Sequence, residues 1–74
     1  MTTIDQVRAG TILYRYHNDG EEIELCRILE IRSWYNDSQG ISGYDMNVSG
    51  EDFSHTILGT AGCNEFLKDW QVVK

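Results

Sequence analysis

Four side chains in this sequence could in principle hold a metal: Cys26, Cys63, His17 and His55, the donor types of a structural Cys2His2 zinc site. No two of them share the short spacing that such sites use, so a metal would require them to converge in space. Beside Phe53 and Ile57, His55 reads as a residue on a half-buried strand face, and His17 as a solvated residue at a hairpin edge. Ser54 and His55 are adjacent, but neighbours on a strand face opposite sides, so they do not form a nucleophile–base pair. Gly59-Thr60-Ala61-Gly62 lacks the Gly-Lys-Ser/Thr ending of a phosphate loop. Asn36-Asp37-Ser38-Gln39-Gly40 lacks the spaced carboxylates of a calcium loop. Glu21 and Glu22 are consecutive turn residues and give no support to paired-carboxylate catalysis. The expectation is therefore a protein that is not an enzyme, with no catalytic residue, cofactor or metal. Two reduced, partly buried thiols are the simplest reading of Cys26 and Cys63, with a bridge between them left open.

What remains is surface. Twelve acids face six bases, for a net charge of −6, and the acids are unevenly placed. His17 to Glu24 carries Asp19, Glu21, Glu22 and Glu24 without a base, and Asp37 to Asp52 carries four further acids without a base. A phosphate backbone needs the opposite field, so general nucleic-acid binding is disfavoured. Trp34 and Tyr35 sit beside the Asn36–Gly40 loop, where aromatic residues are candidate contact hot spots. The candidate partner-binding residues are thus Asp19, Glu21, Glu22, Glu24, Trp34, Tyr35 and Asp37. A second role for Trp34, capping one end of the core, has equal standing.

The elements that must position these residues follow from the apolar pattern. A chain of 74 residues supports one domain. Its composition, 41% hydrophobic with no proline, argues for a packed core over disorder. Ile4 to Gly10 suggests one short turn. Thr11 to Tyr16 is β-branched and aromatic, with Ile12, Tyr14 and Tyr16 on one face. Asp19-Gly20 then signals a hairpin. Ile23 to Ser33 reads as a long strand with Ile23, Leu25, Leu29 and Ile31 on one face, Cys26 and Ile28 on the other, and Arg27 breaking the pattern. A bulge or a bend, which a closing barrel requires, would reconcile these. A helix over Glu21 to Tyr35 is the rival reading, but three isoleucines and the Asp-Gly turn favour strand. Ile41 to Val48 and Phe53 to Leu58 make two more strands, and Val72-Val73 closes the set at five. Before that last strand come a Gly-rich turn and one helical turn capped by Asn64, on which Phe66 and Trp70 share a face. Phe66, Leu67, Val72 and Val73 are expected in the core. Met1 to Gln6 shows no signal-peptide pattern and no apolar run is long enough to cross a membrane, so the expectation is a cytoplasmic protein.

Glu65-Phe66-Leu67-Lys68-Asp69-Trp70 leading into Gln71-Val72-Val73, after a strand meander, resembles the SH3-like small barrel of small bacterial and phage proteins. That resemblance implies a mainly β fold, a five-stranded SH3-like barrel with a short helical turn before the last strand, and no particular activity. Ile12 to Tyr16 with Asp19-Gly20-Glu21-Glu22 is also similar to the opening of peptide-binding SH3 domains. The acidic loop is shorter here, and the proline and Ser-Asn-Tyr groove residues of that family are missing, so polyproline recognition does not carry over. The functional expectation is a small acidic module that binds another protein with a basic surface, as monomer or homodimer; a phage-encoded inhibitor of a host protein is one concrete version. A nucleic-acid-binding barrel, stacking single-stranded bases on Tyr14, Tyr16, Trp34 or Tyr35 with Arg8, Arg15, Arg27 and Arg32 converging, is one alternative. A self-assembling structural subunit is the other.

Overall fold

The computed structural model describes the backbone of residues 1–74 and every side chain except that of Asn18. The described residues form five strands and one α-helix: β1 (Ile12–His17), β2 (Glu22–Asn36), β3 (Ile41–Gly50), β4 (Ser54–Ile57), α1 (Thr60–Leu67) and β5 (Gln71–Val72). All pairings are antiparallel and the order is β4-β3-β2-β1-β5. The mainly β expectation holds, as does the helix before the final strand. Barrel closure is not reached: β4 and β5 are the two edges of an open sheet and do not pair with each other. One reason is length, because β5 is only two residues long and meets β1 at Leu13 and Tyr14 alone.

The segment from Ile23 to Ser33 is strand, not helix, and the strand runs further at both ends, over Glu22–Asn36. β2 runs for 15 residues and serves as the spine, pairing with β1 along its first part and with β3 along the rest. The anticipated bulge lies between Ile28 and Glu30, where the register to β3 shifts and Leu29 is the extra residue. It resolves the awkward pattern. Cys26 and Ile28 point inward before it and Ile31 points inward after it, whereas Ile23 and Leu25 point out.

One face of the sheet is covered. Leu13, Cys26, Ile28, Met46 and Val48 pack there against Cys63 and Leu67 of α1, Trp70, and Ile4 from the N-terminal segment. Phe66 stacks on Trp70 with ring centroids 5.7 Å apart, but α1 ends at Leu67, so the turn closed by the Trp70 N–H to Leu67 O bond, and not a shared helical face, brings the two rings together. Leu67 is buried and Val72 partly so, but Val73 is exposed. The helix begins earlier than expected: Thr60, Ala61 and Gly62 are its first turn, not a loop. Gly59, at φ 86°, makes the entry that a side chain would resist. Asn64 is consequently inside the helix and caps nothing. Its Oδ1 instead accepts from the Ile4 backbone N–H at 2.8 Å, tying the N-terminal segment down.

Candidate functional site

The sequence candidates fall into two groups at opposite ends of β2. At an extended rise of about 3.3 Å per residue, the strand spans roughly 45 Å, close to the 48 Å long axis of the molecule. Asp19, Glu21 and Glu22 are exposed at the β1–β2 turn, where Asp19 adopts a left-handed backbone (φ 58°) and Gly20 follows at φ 92°. Trp34, Tyr35 and Asp37 are at the far end. No single partner contact of ordinary size joins the two groups.

Within each group the side chains differ in availability. Glu24 turns to the inner face of the sheet, where it meets Arg15 Nε and His17 Nε2, the latter at 2.9 Å. Desolvation opposes its charge, but the hydrogen bonds and charges of Arg15 and His17 outweigh that and hold its carboxyl below the usual glutamate range. Arg15 also lies over the Trp70 ring, 4.4 Å from the centroid. Glu24 is therefore matched within the chain and offers little to a partner.

Trp34 is half-buried on the outer face, and its indole N–H donates to Asp45 Oδ1 at 3.1 Å. The same oxygen accepts from the Gly59 N–H at 2.9 Å, so one carboxylate joins β2 to the β4–α1 turn. The Trp34 ring lies flat over Gly43, where a Cβ would come 2.7 Å from Trp34 Cζ2. These contacts fix Trp34 on the outer face, away from the core cluster, so it does not cap the core. Tyr35 points to the other side and is 66% exposed, with Asp37 exposed in the loop beyond it.

The zinc donors do not assemble: no group of three or more His, Cys, Asp and Glu side chains suited to a metal exists among the described residues. His17 faces Glu24, and His55 is exposed with its ring stacked on Phe53. Both cysteines are free and buried. Burial, with the Glu24 charge adding to it, pushes the Cys26 thiol up to about 11, and burial also raises Cys63. Two of the four arginines lie on opposite faces: Arg15 is inward with Glu24 and Trp70, while Arg32 pairs with Glu30 on the outer face.

Sequence reasoning missed the outer face of β1 and β2. Tyr14 stands opposite Leu25, Tyr16 opposite Ile23, and Ile12 opposite Arg27. Tyr14 is half-buried, but Tyr16 is 59%, Ile23 55% and Leu25 51% exposed. Tyr14 and Tyr16 meet edge to face with centroids 5.8 Å apart, and Tyr14 Oη donates to Gln71 Oε1 at 2.8 Å. Ile23 and Leu25 form a ridge between two recesses. One, of about 960 Å³, opens toward Met1, Gln6 and Val73. The other, of about 330 Å³, opens toward Arg27, Gly50 and Glu51. The signal was present as apolar residues on both faces of one hairpin; only the position of α1 tells which face is core. No helix is long and apolar enough to cross a membrane. No family model matches the chain, and neither curated proteins nor solved structures show a significant match to it.

Proposed function

We propose that this chain is a protein-binding module whose contact surface is the outer face of the β1–β2 hairpin. One observation carries the reading: Tyr16, Ile23 and Leu25 form a contiguous exposed apolar surface next to Asp19, Glu21 and Glu22. Apolar patches rimmed by charge mark interaction sites more often than chance exposure does. The aromatic and aliphatic centre supplies affinity, and the acidic turn selects a partner with a basic rim and speeds its approach. An SH3-like plan fits this use. A meander that returns its last strand to β1 leaves the first hairpin at one end of the molecule, free to dock.

The test is capture of a partner by the immobilised chain, with Ile23→Asp and Leu25→Asp variants as controls. Both positions are exposed, so stability should change by less than about 0.5 kcal/mol while a specific partner is lost from the eluate. Raising salt should weaken capture, because the acidic rim is solvent-exposed. A partner retained by both variants would place the contact elsewhere.

A further inference from the structure

Strand β2 extends beyond its neighbour. Pairing with β1 ends at Arg27, and the preceding chain closes that edge with two last bonds: Gly10 N donates to Ile28 O at 2.7 Å and Ile28 N to Thr11 O at 2.9 Å. From Leu29 to Asn36 the edge of β2 away from β3 has no backbone partner among the described residues. The groups that face this edge can be read from β3. Tyr44 N donates to Thr60 Oγ1 at 3.2 Å and Tyr44 O accepts from the Cys63 thiol at 3.7 Å, so Tyr44 turns its backbone away from β2. Opposite residues of an antiparallel ladder share that orientation. Ser33, opposite Tyr44, and Ile31 and Tyr35 on either side therefore present N–H and C=O groups to the open edge. A two-stranded ribbon is marginal alone, and an open edge is a template for another strand.

We infer that this edge pairs with the same edge of a second copy, antiparallel about a two-fold axis at Ser33. Sterics and charge decide the register. An axis at Ile31 would drive Trp34 to Asn36 of the second copy into the chain at Gly10–Ile12, which already occupies that edge. With the axis at Arg32, two guanidinium groups would stand directly opposite each other. At Ser33 both faults disappear: Ile31 faces Tyr35 of the second copy, Arg32 faces its Trp34, and Glu30 faces its Asn36. The exposed Tyr35 gains an apolar neighbour that its own strand does not supply. The net charge of −6 is no obstacle, because this axis sends the two acidic turns to opposite ends of an extended rod. Their separation is many times the ~8 Å screening length. The ladder is short and buries less than a standard interface, so the dimer is weak, roughly micromolar. This inference concerns the β2 edge and does not depend on the outer-face reading.

Sedimentation velocity from about 5 to 500 μM should show a monomer converting to an elongated dimer over that range. Ser33→Pro removes an N–H that serves only the open edge, a place where proline is tolerated. The variant should keep its circular dichroism and melting temperature while dimerisation weakens at least tenfold. Ser33→Cys provides an independent readout. Facing Cα atoms at the axis would be about 5.5 Å apart, within disulfide reach. Mild oxidation should then cross-link it far faster than a Ser38→Cys control in the neighbouring loop. If Ser33→Pro unfolds, this comparison decides. A wild-type monomer at all concentrations, or Ser33→Cys linking no faster than Ser38→Cys, overturns the inference. So does a dimer broken by Leu25→Asp but not by Ser33→Pro. Partner capture by Ser33→Pro should be unchanged, which separates failure here from failure of the binding reading.

Discussion

Asp45 does more than its sequence context suggests, because one of its oxygens accepts from both the Trp34 indole and the Gly59 amide. Asp45→Ala would leave two donors unpaired in a half-buried setting and should cost about 1–3 kcal/mol in urea denaturation, with a change in tryptophan emission. Gly43→Ala probes the same node sterically, since the Trp34 ring must move to admit the methyl group; a similar loss is expected. Glu24 supplies a pH dependence of definite sign. Its carboxyl is held below its unfolded value near 4.5 by Arg15 and His17 against the cost of desolvation. The contribution is therefore fully present above that pH and is lost as pH falls through the lower, folded value. Urea midpoints between pH 2.5 and 7 should fall on acidification more steeply for wild type than for Glu24→Gln; parallel profiles would remove Glu24 as the cause. Cys26, raised to about 11 from 9.0, should hold roughly a hundredfold less thiolate than an ordinary cysteine. Thiol labelling at pH 8 should accordingly be slow in the native protein and fast in urea.

Among the elements, β2 shows how one residue controls a face. Leu29 is the bulged position, and the ladder to β3 is regular on both sides of it. Deleting Leu29 should leave Trp34 outside and Ile31 inside, because only the extra residue is removed. Deleting Arg32 would instead turn Trp34 and Tyr35 to the wrong sides and detach Trp34 from Asp45. The Arg32 deletion should therefore be much the less stable in thermal denaturation, and equal losses would argue against this account of the bulge. In α1, Gly62 approaches Ile57 closely enough that an added Cβ would sit 3.4 Å from Ile57 Cγ2. That contact suits the helix to its place over the sheet, even though glycine is a poor helix former.

The molecule as a whole is a rod, with a radius of gyration of 13.3 Å against about 11 Å for a compact chain of this length. Its two ends are separate chemical environments. The acidic turn and the apolar outer hairpin occupy one end, and the tyrosine-bearing ribbon of β2 and β3 the other. Substitutions at the two ends should act independently: the stability effects of Glu22→Lys and Tyr35→Ala should add to within about 0.5 kcal/mol. Larger coupling would mean that β2 transmits strain along its length.

Local chemistry in the sequence determined much of this. Alternating β-branched and aromatic residues marked four of the strands, Asp19-Gly20 marked the first turn, and the interrupted pattern around Arg27 called for a bulge or a bend, of which the register shift between Ile28 and Glu30 is the bulge. The Phe66–Trp70 contact was legible in their spacing, although the chain leaves the helix after Leu67 and a turn, not a helical face, makes it. The start of α1 was hidden because Thr60 and Gly62 have weak helical preference and Thr60 is held by Tyr44, distant in sequence. Nor could the chain tell which face of β1–β2 was core, since apolar side chains line both. Only the placement of α1 and the N-terminal segment over Leu13, Cys26 and Ile28 settled that, leaving Tyr16, Ile23 and Leu25 in water. The separation of the acidic turn from Trp34 and Tyr35 was likewise a tertiary outcome: residues near each other along the chain are carried apart when a strand stays extended for 15 residues.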